Sequence, residues 1–381
     1  MTRVARIDVL TAELPFRFSF GHALAERRSS TNVYVRLTLE DGSVGYGEGV
    51  PREYVTGETV ESAVEALVER QAPALLGRSL NEPDDVTALL AEVPVERDLA
   101  AHCALELALL DAAGKHLGLP VAHWLGGRRA EEVQYDAVIP FSSAKKLAAI
   151  ALVVRALAIR QVKIKVGSDL AKELESLRLL RRLLGRRVDL RVDANCAWST
   201  EEALMAIAAM RRYRISAVEQ PLPADDLEAL RKVTAETPEA IIVDESLRTV
   251  EEATNLASTR VCDAFNIRVS KCGGLLSSMR IAEIAREHGL ECVVGAQVGE
   301  SGILSAAGRH LAAAIGPRYL EGSGGRLLLR EDLTVEKVLP GRRGRARPYN
   351  GPGLGVSVKE ETLERFTRSR QRLDAEMVGT R

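Results

Sequence analysis

The sequence predicts an α/β protein built around a closed barrel of parallel strands and crossover helices. From about residue 133, short runs rich in β-branched residues alternate with Ala/Leu/Glu/Arg-rich segments of helical length. A strand followed by a helix, repeated, is typical of a parallel sheet. Seven or eight such units favour a (β/α) barrel over an open doubly wound sheet. The first of these strands is not followed by Gly-x-Gly-x-x-Gly, which disfavours dinucleotide binding.

Composition restricts the possible partners and locations. The chain has 381 residues, enough for a large core and two domains, and is 46% apolar and 28% charged, as in soluble globular proteins. Its formal net charge is −1, so we expect no nucleic-acid partner. The longest apolar run, residues 147–154, is far short of the ~20 residues of a membrane span, so we expect no membrane association. Five cysteines without Cys-x-x-Cys spacing indicate reduced thiols and a cytoplasmic location.

The N-terminal part predicts a small antiparallel sheet followed by helices. Strands are expected over 3–10, 33–39 and 44–48, with Asp41-Gly42 as the turn between the last two. Residues 15–30 are expected to form a long loop, and such loops often act as functional lids. Helices are expected over 60–72, 84–91 and 98–117. Gly126-Gly127 marks a boundary, so we assign residues 1–127 to a first domain.

The second part, residues 128–330, carries the alternating pattern. Strands are expected over 133–139, 162–166, 188–192, 217–219, 241–243, 264–269 and 291–294. Helices are expected over 143–158, 169–184, 199–213, 225–236, 249–258 and 275–288. The remaining segment, 331–381, contains a basic Gly/Pro-rich loop at 340–348, for which a solvated loop is favoured over a nucleic-acid contact. From Lys359 the chain reads as a charged amphipathic helix.

One short strand carries two lysines. Side chains alternate along a strand, so Lys163 and Lys165 are expected to point the same way. Two ammonium groups on one buried face repel each other, and repulsion and desolvation both lower the pKa of a lysine towards that of a usable base. Taken alone, the segment would fit an edge strand with two solvated lysines better than a buried pair. The residues that follow it decide the matter.

Charged residues recur at intervals of one β/α unit. The steps from Lys165 to Asp193, Glu219, Asp244 and Lys271 are 28, 26, 25 and 27 residues. Each residue is therefore expected at the C-terminal end of a successive strand, where barrel active sites lie. Three carboxylates in one cleft would repel each other. A hard divalent cation with oxygen ligands relieves that repulsion, and Mg²⁺ suits such ligands.

Neighbouring polar residues are candidates for orienting this set. Arg191 and Asn195 share a strand face with Asp193, whereas Gln220 and Glu245 follow their ligands on the other face. Residues of this kind commonly orient metal ligands and charged bases through hydrogen bonds.

Five motifs, in order and at family spacing, resemble those of the enolase superfamily. They are Val162-Lys163-Ile164-Lys165, Arg191-Val192-Asp193-Ala194-Asn195, Val218-Glu219-Gln220-Pro221, Val243-Asp244-Glu245-Ser246 and Ser270-Lys271-Cys272-Gly273-Gly274. Within the superfamily they resemble most the muconate lactonizing enzyme subgroup. The N-terminal hairpin, Gly45-x-Gly47-Glu48 and Leu125-Gly126-Gly127 match too, so the resemblance covers nearly the whole chain.

The resemblance implies a fold and a site. The fold would be a modified (β/α)₇β TIM-like barrel under an N-terminal α+β capping domain, with the C-terminal segment packing back on the cap. Mg²⁺ would be held by Asp193, Glu219 and Asp244. Lys165 and Lys271 would act as acid and base on opposite faces of a small carboxylate substrate, with Lys163 tuning Lys165. The family is usually oligomeric, which implies a homo-oligomer.

The chemistry implied is removal of the proton α to a carboxylate. An amine alone is too weak a base for this carbon acid, so the cation has to stabilise the developing negative charge. One lysine then removes the proton, and the opposite lysine can return one to the other face. Alternatively, the enolate ejects a β-group or closes a ring.

Other features narrow the reaction. The family's mandelate racemase type has a histidine at the seventh strand end, where this chain has Cys292-Val293-Val294-Gly295-Ala296-Gln297. Acid-sugar dehydration and mandelate-type racemisation are therefore disfavoured. Two opposed lysines fit racemases, dipeptide epimerases, cycloisomerases and o-succinylbenzoate synthases equally. A non-catalytic scaffold would not need two buried, opposed lysines.

Four residues are candidates for substrate binding: Thr56, Gln297, Glu321 and Ser323. The loop 51–59 resembles the lid of dipeptide epimerases, but those enzymes usually carry Asp-x-Asp where this chain has Glu321-Gly322-Ser323. Glu321 alone resembles the lactonizing enzymes. Glu300 either faces the pocket or caps the helix that starts at Gly302. We expect racemisation or epimerisation of a dipeptide or N-acyl amino acid, with cycloisomerisation or o-succinylbenzoate-synthase-like dehydration as the alternative.

Overall fold

The computed structural model describes residues 2–22, 25–140, 142–322 and 325–378. Its two main sheets are a five-stranded, antiparallel sheet and an eight-stranded parallel sheet. The expected α/β fold, a modified (β/α)₇β barrel with an α+β cap, is confirmed. No helix in the described ranges combines the length and apolar character that a membrane crossing demands.

The cap sheet is formed mainly by the N-terminal strands β1 (Thr2–His22), β2 (Ala25–Leu39), β3 (Val44–Gly49) and β4 (Ser79–Leu80). The long loop expected over 15–30 is wrong, because β1 and β2 continue as a paired hairpin through this segment. Pairing is irregular between Pro15 and Phe20 and then resumes. Irregular positions in a strand tolerate both the proline and the glycine of this stretch.

The helices of the cap are α1 (Glu53–Thr56), α2 (Val60–Ala66), which continues as a π-helical turn (Leu67–Gln71), α3 (Pro83–Glu92) and α4 (Leu99–Leu117). Helix α4 lies directly on β3. Three alternating glycines allow this approach: a Cβ on Gly45, Gly47 or Gly49 would lie 2.1, 1.9 or 2.0 Å from a backbone carbonyl oxygen of α4. The cap is therefore built on a glycine face that only a helix rich in alanine can approach.

The barrel region contains the strands β5 (Val133–Gln134), β6 (Ala137–Ile139), β7 (Gln161–Lys165), β8 (Asp189–Asp193), β9 (Ile215–Glu219), β10 (Ala240–Val243), β11 (Ala264–Ile267), β12 (Glu291–Val294) and β13 (Tyr319–Leu320). Strands β6 to β13 pair in sequence order and in parallel. The Asp136 amide donates to the Leu320 carbonyl at 2.9 Å and joins the first strand to the last. The single strand expected over 133–139 is divided into β5 and β6.

The barrel helices are α5 (Ala144–Ala156), α6 (Leu170–Leu184), α7 (Thr200–Met210), α8 (Leu227–Glu236), α9 (Val250–Ser258), α10 (Leu275–Glu287), α11 (Gly302–Ile315) and α12 (Gly325–Leu328). The helices predicted from the sequence in this region agree with these within a few residues. Side-chain caps explain several of the boundaries. Ser199 and Thr249, for example, begin α7 and α9 with capping boxes.

The C-terminal segment returns to the cap. It forms β14 (Arg345–Ala346), α13 (Glu360–Phe366), β15 (Thr367–Asp374) and α14 (Ala375–Val378). The long helix expected from Lys359 is wrong beyond Phe366, because β15 pairs antiparallel with β1 at the edge of the cap sheet. Arginines at every second position, 368, 370 and 372, fit this exposed edge strand. Pairing with a distant strand overrides the local helical pattern.

Candidate active site

The C-terminal edge of the barrel sheet gathers the charged residues predicted from their spacing. Lys165, Asp193 and Glu219 are the last residues of β7, β8 and β9, and they lie side by side in the sheet register. Asp244 directly follows β10, and Lys271 lies four residues after the end of β11. The interval of one β/α unit therefore identifies successive strand ends correctly.

The Asp193 carboxylate is fully buried between two lysines. It accepts hydrogen bonds from Lys165 Nζ at 2.6 Å and from the Asn195 amide at 3.1 Å, and Lys163 Nζ lies 3.0 Å away. Burial raises the pKa of Asp193, but the charges of Lys163 and Lys165 outweigh it and hold the pKa well below its usual range. Asp193 is therefore an anion at any physiological pH.

Lys163 lies among three carboxylates. Its Nζ is 3.0 Å from Asp193, 3.0 Å from Glu219 and 2.6 Å from Glu321. Burial lowers the pKa of Lys163, but these three charges raise it well above the usual value. The expectation that repulsion between the paired lysines lowers the pKa is wrong for Lys163, because local sequence does not reveal the surrounding acids.

Glu219 is held by three donors. Lys163 donates to it at 3.0 Å, Arg191 at 2.6 Å and the Asn266 side chain at 2.9 Å. Arg191 also binds Glu321 and the Asp136 carboxylate. The sequence suggested that Arg191 orients Asp193, with which it shares a strand face. The structure places its guanidinium on Glu219, at the end of the neighbouring strand, instead.

A second group of polar side chains surrounds Lys165. Its Nζ donates to Asn195 Oδ1 at 2.6 Å, and Asn195 Nδ2 donates to Glu245 Oε1 at 3.1 Å. The other Glu245 oxygen is buried and has no hydrogen-bond partner within the described ranges. Burial, together with the charge of Asp193, raises the pKa of Glu245. Asn195 and Glu245 therefore lie where the sequence placed them, beside Lys165 and Asp193.

Lys271 is fully buried at the opposite end of the set. Its Nζ donates to the Asp244 backbone oxygen at 2.6 Å, to Asp244 Oδ1 at 2.8 Å and to the Asn266 backbone oxygen at 2.9 Å. Burial lowers the pKa of Lys271 to about 8. Lys271 therefore has the lowered pKa that was expected for the Lys163/Lys165 pair.

Sequence reasoning missed three residues of this site: Asp136, Asn266 and Arg268. Arg268 binds Asp244 Oδ2, and it donates to Gln297 Oε1 at 3.0 Å. Asn266 and Arg268 are two residues apart, at the end of the otherwise apolar strand β11 and just after it. That alternation of polar residues is the signal that could have identified them.

The two acid/base candidates lie on opposite sides of the barrel. In the order β6 to β13, β7 is the second strand and β11 is the sixth of eight. In a closed ring of eight strands, these two positions face each other across the axis. Strands β8, β9 and β10, which lead to the three carboxylates, occupy one arc between them. A substrate above those carboxylates would have one lysine on either side.

The chemistry of the donor set fits a divalent cation. Six buried carboxylates belong to the site, and five basic groups face them. The carboxylates are those of Asp136, Asp193, Glu219, Asp244, Glu245 and Glu321. The basic groups are those of Lys163, Lys165, Arg191, Arg268 and Lys271. Within the described ranges, no three acidic, histidine or cysteine side chains already converge as a set of ligands. Their oxygens face basic groups instead. Joint coordination would require those oxygens to exchange partners, and the excess of negative charge and hard oxygen donors favour Mg²⁺.

The predicted substrate-binding residues are only partly brought together. Glu321 follows β13 and is bound by Lys163 and Arg191, and Gln297 contacts Arg268. Thr56 is buried at the end of α1, where its hydroxyl donates to the backbone oxygen of Arg52 at 3.4 Å. Ser323 lies outside the described residues.

At the start of α11, the capping role that was one of the two alternatives for Glu300 belongs to Ser301. Ser301 is the N-cap residue, and its hydroxyl accepts from the Ile303 amide. Glu300 accepts from the Gln297 amide at 3.2 Å and from the Ser305 hydroxyl at 2.9 Å. Glu300 therefore stabilises the start of α11 and the preceding turn.

Comparison with known families agrees with this geometry. Residues 1–126 match the N-terminal domain of mandelate racemase / muconate lactonizing enzyme, and residues 146–362 match the enolase C-terminal domain-like family. The chain belongs to the mandelate racemase/muconate lactonizing enzyme family. Membership in the enolase superfamily, predicted from five motifs, is thereby confirmed.

Characterised relatives of this family member are isomerases. An L-Ala-D/L-Glu epimerase of Bacillus subtilis is 34% identical over 317 residues, covering 82% of this chain and 85% of the epimerase. An N-succinyl-L-Arg/Lys racemase of Bacillus cereus is 28% identical over 367 residues, covering 96% and 98% of the two chains. The expectation of an isomerase of the enolase superfamily is confirmed.

Solved structures show the same fold. A muconate lactonizing enzyme of Pseudomonas fluorescens, complexed with muconolactone, has a TM-score of 0.90 at 29% identity, covering 96% of this chain and 100% of that one. A dipeptide epimerase of Cytophaga hutchinsonii, complexed with Mg and the dipeptide D-Ala-L-Val, has a TM-score of 0.87 at 25% identity, covering 98% and 100%. Family members of one architecture therefore include both epimerases and lactonizing enzymes.

Proposed function

We propose that this protein is a Mg²⁺-dependent racemase or epimerase that removes the proton α to a substrate carboxylate and returns one to the opposite face. One observation carries the proposal. Lys165 and Lys271 follow strands on opposite sides of the barrel, with Asp193, Glu219 and Asp244 on the arc between them. This arrangement supplies two amines, one for each face of a planar carbanion.

Asp193, Glu219 and Asp244 would hold the ion. When bound, Mg²⁺ supplies positive charge that offsets the charge developing on the substrate carboxylate. The chain supplies the rest of the electrostatics. Lys163 and Arg191 hold Glu219 in place, and Arg268 holds Asp244.

The two amines have different environments. Lys271, with a pKa lowered to about 8 by burial, has a substantial neutral fraction near neutral pH and can accept a proton at Nζ. Lys165 Nζ is held by Asp193 and Asn195 and can donate from the other face. Lys163 keeps its proton among three carboxylates, so it positions the ligands and is not a base. In the reverse direction, Lys165 and Lys271 exchange roles.

The surroundings of Glu321 favour N-acylated substrates. An acid at this strand end could bind the ammonium of a dipeptide with a free N-terminus. Here the Glu321 carboxylate is already neutralised by Lys163 and Arg191. An N-acyl amino acid, such as the substrates named for the Bacillus cereus racemase, carries no ammonium that needs this partner. We therefore place N-acyl amino acids ahead of free dipeptides.

Cycloisomerisation is the second candidate. The muconate lactonizing enzyme of Pseudomonas fluorescens shares the fold over 96% of this chain, and a glutamate at the last strand end resembles that subgroup. In that reaction a carboxylate oxygen of the substrate would add to an alkene carbon and close the ring, and one lysine would donate a proton to the enolate carbon that results.

A screen in D₂O separates these candidates. N-succinyl amino acids, dipeptides and cis,cis-muconate are incubated with enzyme and Mg²⁺, and deuterium uptake is measured by mass spectrometry. Racemisation predicts one deuterium at the α-carbon of recovered substrate and product, without a change in connectivity. Conversion of muconate to a lactone, with no exchange in any amino-acid substrate, would replace our proposal with the second candidate.

We also propose that the enzyme works in the cytoplasm as a homo-oligomer. All five cysteines are free thiols, which supports a reducing compartment. The oligomeric state is tested by light scattering of the purified protein during gel filtration, and a monomer at micromolar concentration would contradict this part of the proposal.

A further inference from the structure

The turn that carries Lys271, residues 270–276, is anchored by the capping domain. The Val50 amide, just after β3, donates to the Ser270 hydroxyl at 2.8 Å. On the other side of Lys271, the buried Glu106 carboxylate of α4 accepts from the Leu275 amide and, at 3.3 Å, from the Leu276 amide. These are the first amides of α10, which have no partner within their own helix. Two cap residues therefore bond this turn on either side of Lys271.

The packing at this turn leaves little room for adjustment. Gly274 has a φ of 113°, and a Cβ there would lie 2.3 Å from a Glu106 oxygen. A Cβ on Gly273 would lie 3.2 Å from the side chain of Leu99, the first residue of α4. Helix α4 therefore rests directly on the backbone that positions Lys271.

The turn after Lys165 is anchored differently. There the Glu173 carboxylate of α6 accepts from the amides of Gly167, Ser168 and Asp169 at 2.7, 2.7 and 3.0 Å. Glu173 belongs to the barrel, and so does Asp193, whose backbone oxygen accepts from the Val166 amide at 2.9 Å. Each acid/base lysine thus has one buried glutamate that binds the backbone after it, but only one of these glutamates comes from the cap.

We propose that Glu106 is a positioning residue for Lys271, so that the capping domain determines where Lys271 lies while the barrel itself, through Glu173, determines where Lys165 lies. The inference rests on the proposed two-base function. It joins the domain that carries the loop 51–59, which resembles the lid of dipeptide epimerases, to one of the two bases.

This division has a stereochemical consequence. Each substrate epimer presents its α-hydrogen to one lysine only. If Lys271 is displaced, the epimer facing Lys271 keeps its α-hydrogen, because no base reaches it. The other epimer still loses its proton to Lys165, whose ammonium exchanges with solvent and returns a deuteron to the same face. Displacing Lys271 therefore predicts exchange with retention in one epimer and almost none in the other.

The test compares Glu106→Ala with Glu173→Ala, and each with its glutamine variant. The L and D forms of N-succinyl-lysine, and L-Ala-L-Glu with L-Ala-D-Glu, are incubated separately in D₂O with Mg²⁺. Initial exchange at the α-carbon is read by mass spectrometry, and retention by chiral chromatography.

For whichever pair the wild type interconverts, we expect E106A to slow exchange of one epimer about tenfold or more and exchange of the other less than about twofold. E173A should show the opposite preference. Both glutamine variants keep an acceptor oxygen and should restore exchange.

Several outcomes would overturn the inference. They include equal slowing of both epimers by E106A, the same preference in E106A and E173A, or no rescue by E106Q. If the wild type exchanges none of the probes, the proposed function fails instead. A crystal structure then tests the positioning directly: Lys271 Nζ should move away from the Asp244 backbone oxygen in E106A and stay in E173A. Should E106A not fold, Glu106→Asp withdraws the carboxylate from the Leu275 and Leu276 amides by one methylene, and an unmoved Lys271 in that variant contradicts the proposal.

Discussion

The Lys163 ammonium lies 2.6 Å from Oε1 of Glu321. A carboxylate that directly follows β13, the last strand of the barrel, therefore balances the charge of a lysine on β7, the second strand. Both side chains are buried, and Arg191 binds the same Glu321 oxygen. The pair links the second strand of the barrel to the last one, close to the point where the barrel closes. It also neutralises the carboxylate that would otherwise be available to a substrate ammonium.

Glu321→Gln should destabilise the protein, because it leaves Lys163 and Arg191 buried with one compensating charge fewer. Breaking a buried ion pair from one side typically costs about 3–5 kcal/mol of unfolding free energy, which urea unfolding will measure. The control is Glu291→Gln, which removes the half-exposed partner of Arg318 and should cost less than about 1 kcal/mol. Equal losses in both variants would show that the Glu321 network is not strongly coupled.

Lys165→Ala and Lys271→Ala should each reduce interconversion of epimers by at least about a thousandfold, because a general acid or base is lost in each. Both variants should still bind Mg²⁺ in titration calorimetry. Lys172→Ala is the matched control, because Lys172 is exposed on α6 and pairs only with Asp169 in the described structure. Full activity in either active-site variant would remove the acid/base assignment.

Removal of divalent cations with EDTA should abolish turnover, and added Mg²⁺ should restore it. A ligand that binds only the folded state also stabilises that state, by about 2.7 kcal/mol at a hundred times its Kd. We therefore expect the melting temperature to rise with Mg²⁺ in the wild type and to stay unchanged in Glu219→Gln. Glu175→Gln, at an exposed acid on α6, should keep the full rise.

The contribution of Glu106 to stability should fall as the pH rises from about 5 to about 8. Burial raises the pKa of Glu106 to about 8 from a usual value near 4.5, so between these values the folded state binds a proton that the unfolded state lacks. The acid therefore destabilises the fold progressively across this window, by a few kcal/mol at most, and no further above it. Glu300 and Glu58, with pKa values raised to about 8 and about 7, act in the same direction.

Urea unfolding at pH 5.5 and pH 8.5 measures this effect. Glu106→Gln, which cannot ionise, should reduce the difference between the two pH values. Glu175→Gln, an exposed glutamate on α6, should leave the difference as in the wild type. An unchanged difference in E106Q would show that Glu106 does not titrate in this window.

Gly47→Ala should disrupt the contact between β3 and α4. Its Cβ would lie 1.9 Å from the Ala104 carbonyl oxygen, so the helix would have to move. We expect a loss of about 3 kcal/mol or more in unfolding free energy. Gly308→Ala is the control, because that glycine is within α11 and its nearest neighbour would be 4.0 Å away. It should be neutral or stabilising by up to about 1 kcal/mol.

Local patterns predicted most of the barrel. Helix boundaries followed from caps and apolar periodicity, and these depend on residues within one or two turns. The two clear errors, at residues 15–30 and beyond Phe366, both concern strands of the cap sheet. Strand β15 pairs with β1 across the whole length of the chain, and pairing of that kind leaves almost no trace in neighbouring residues.

The sequence by itself determined the positions and order of five charged residues of the site. A β/α unit has a nearly constant length, so it places Lys165, Asp193, Glu219, Asp244 and Lys271 at or just after successive strand ends. Only the tertiary structure decided the direction in which the pKa values of Lys163, Asp193 and Lys271 are shifted. A pKa depends on every charge within a few ångströms, and the partners of Lys163 come from three other strands. The same holds for Glu106, whose contact with the Lys271 turn exists only because the cap folds onto the barrel.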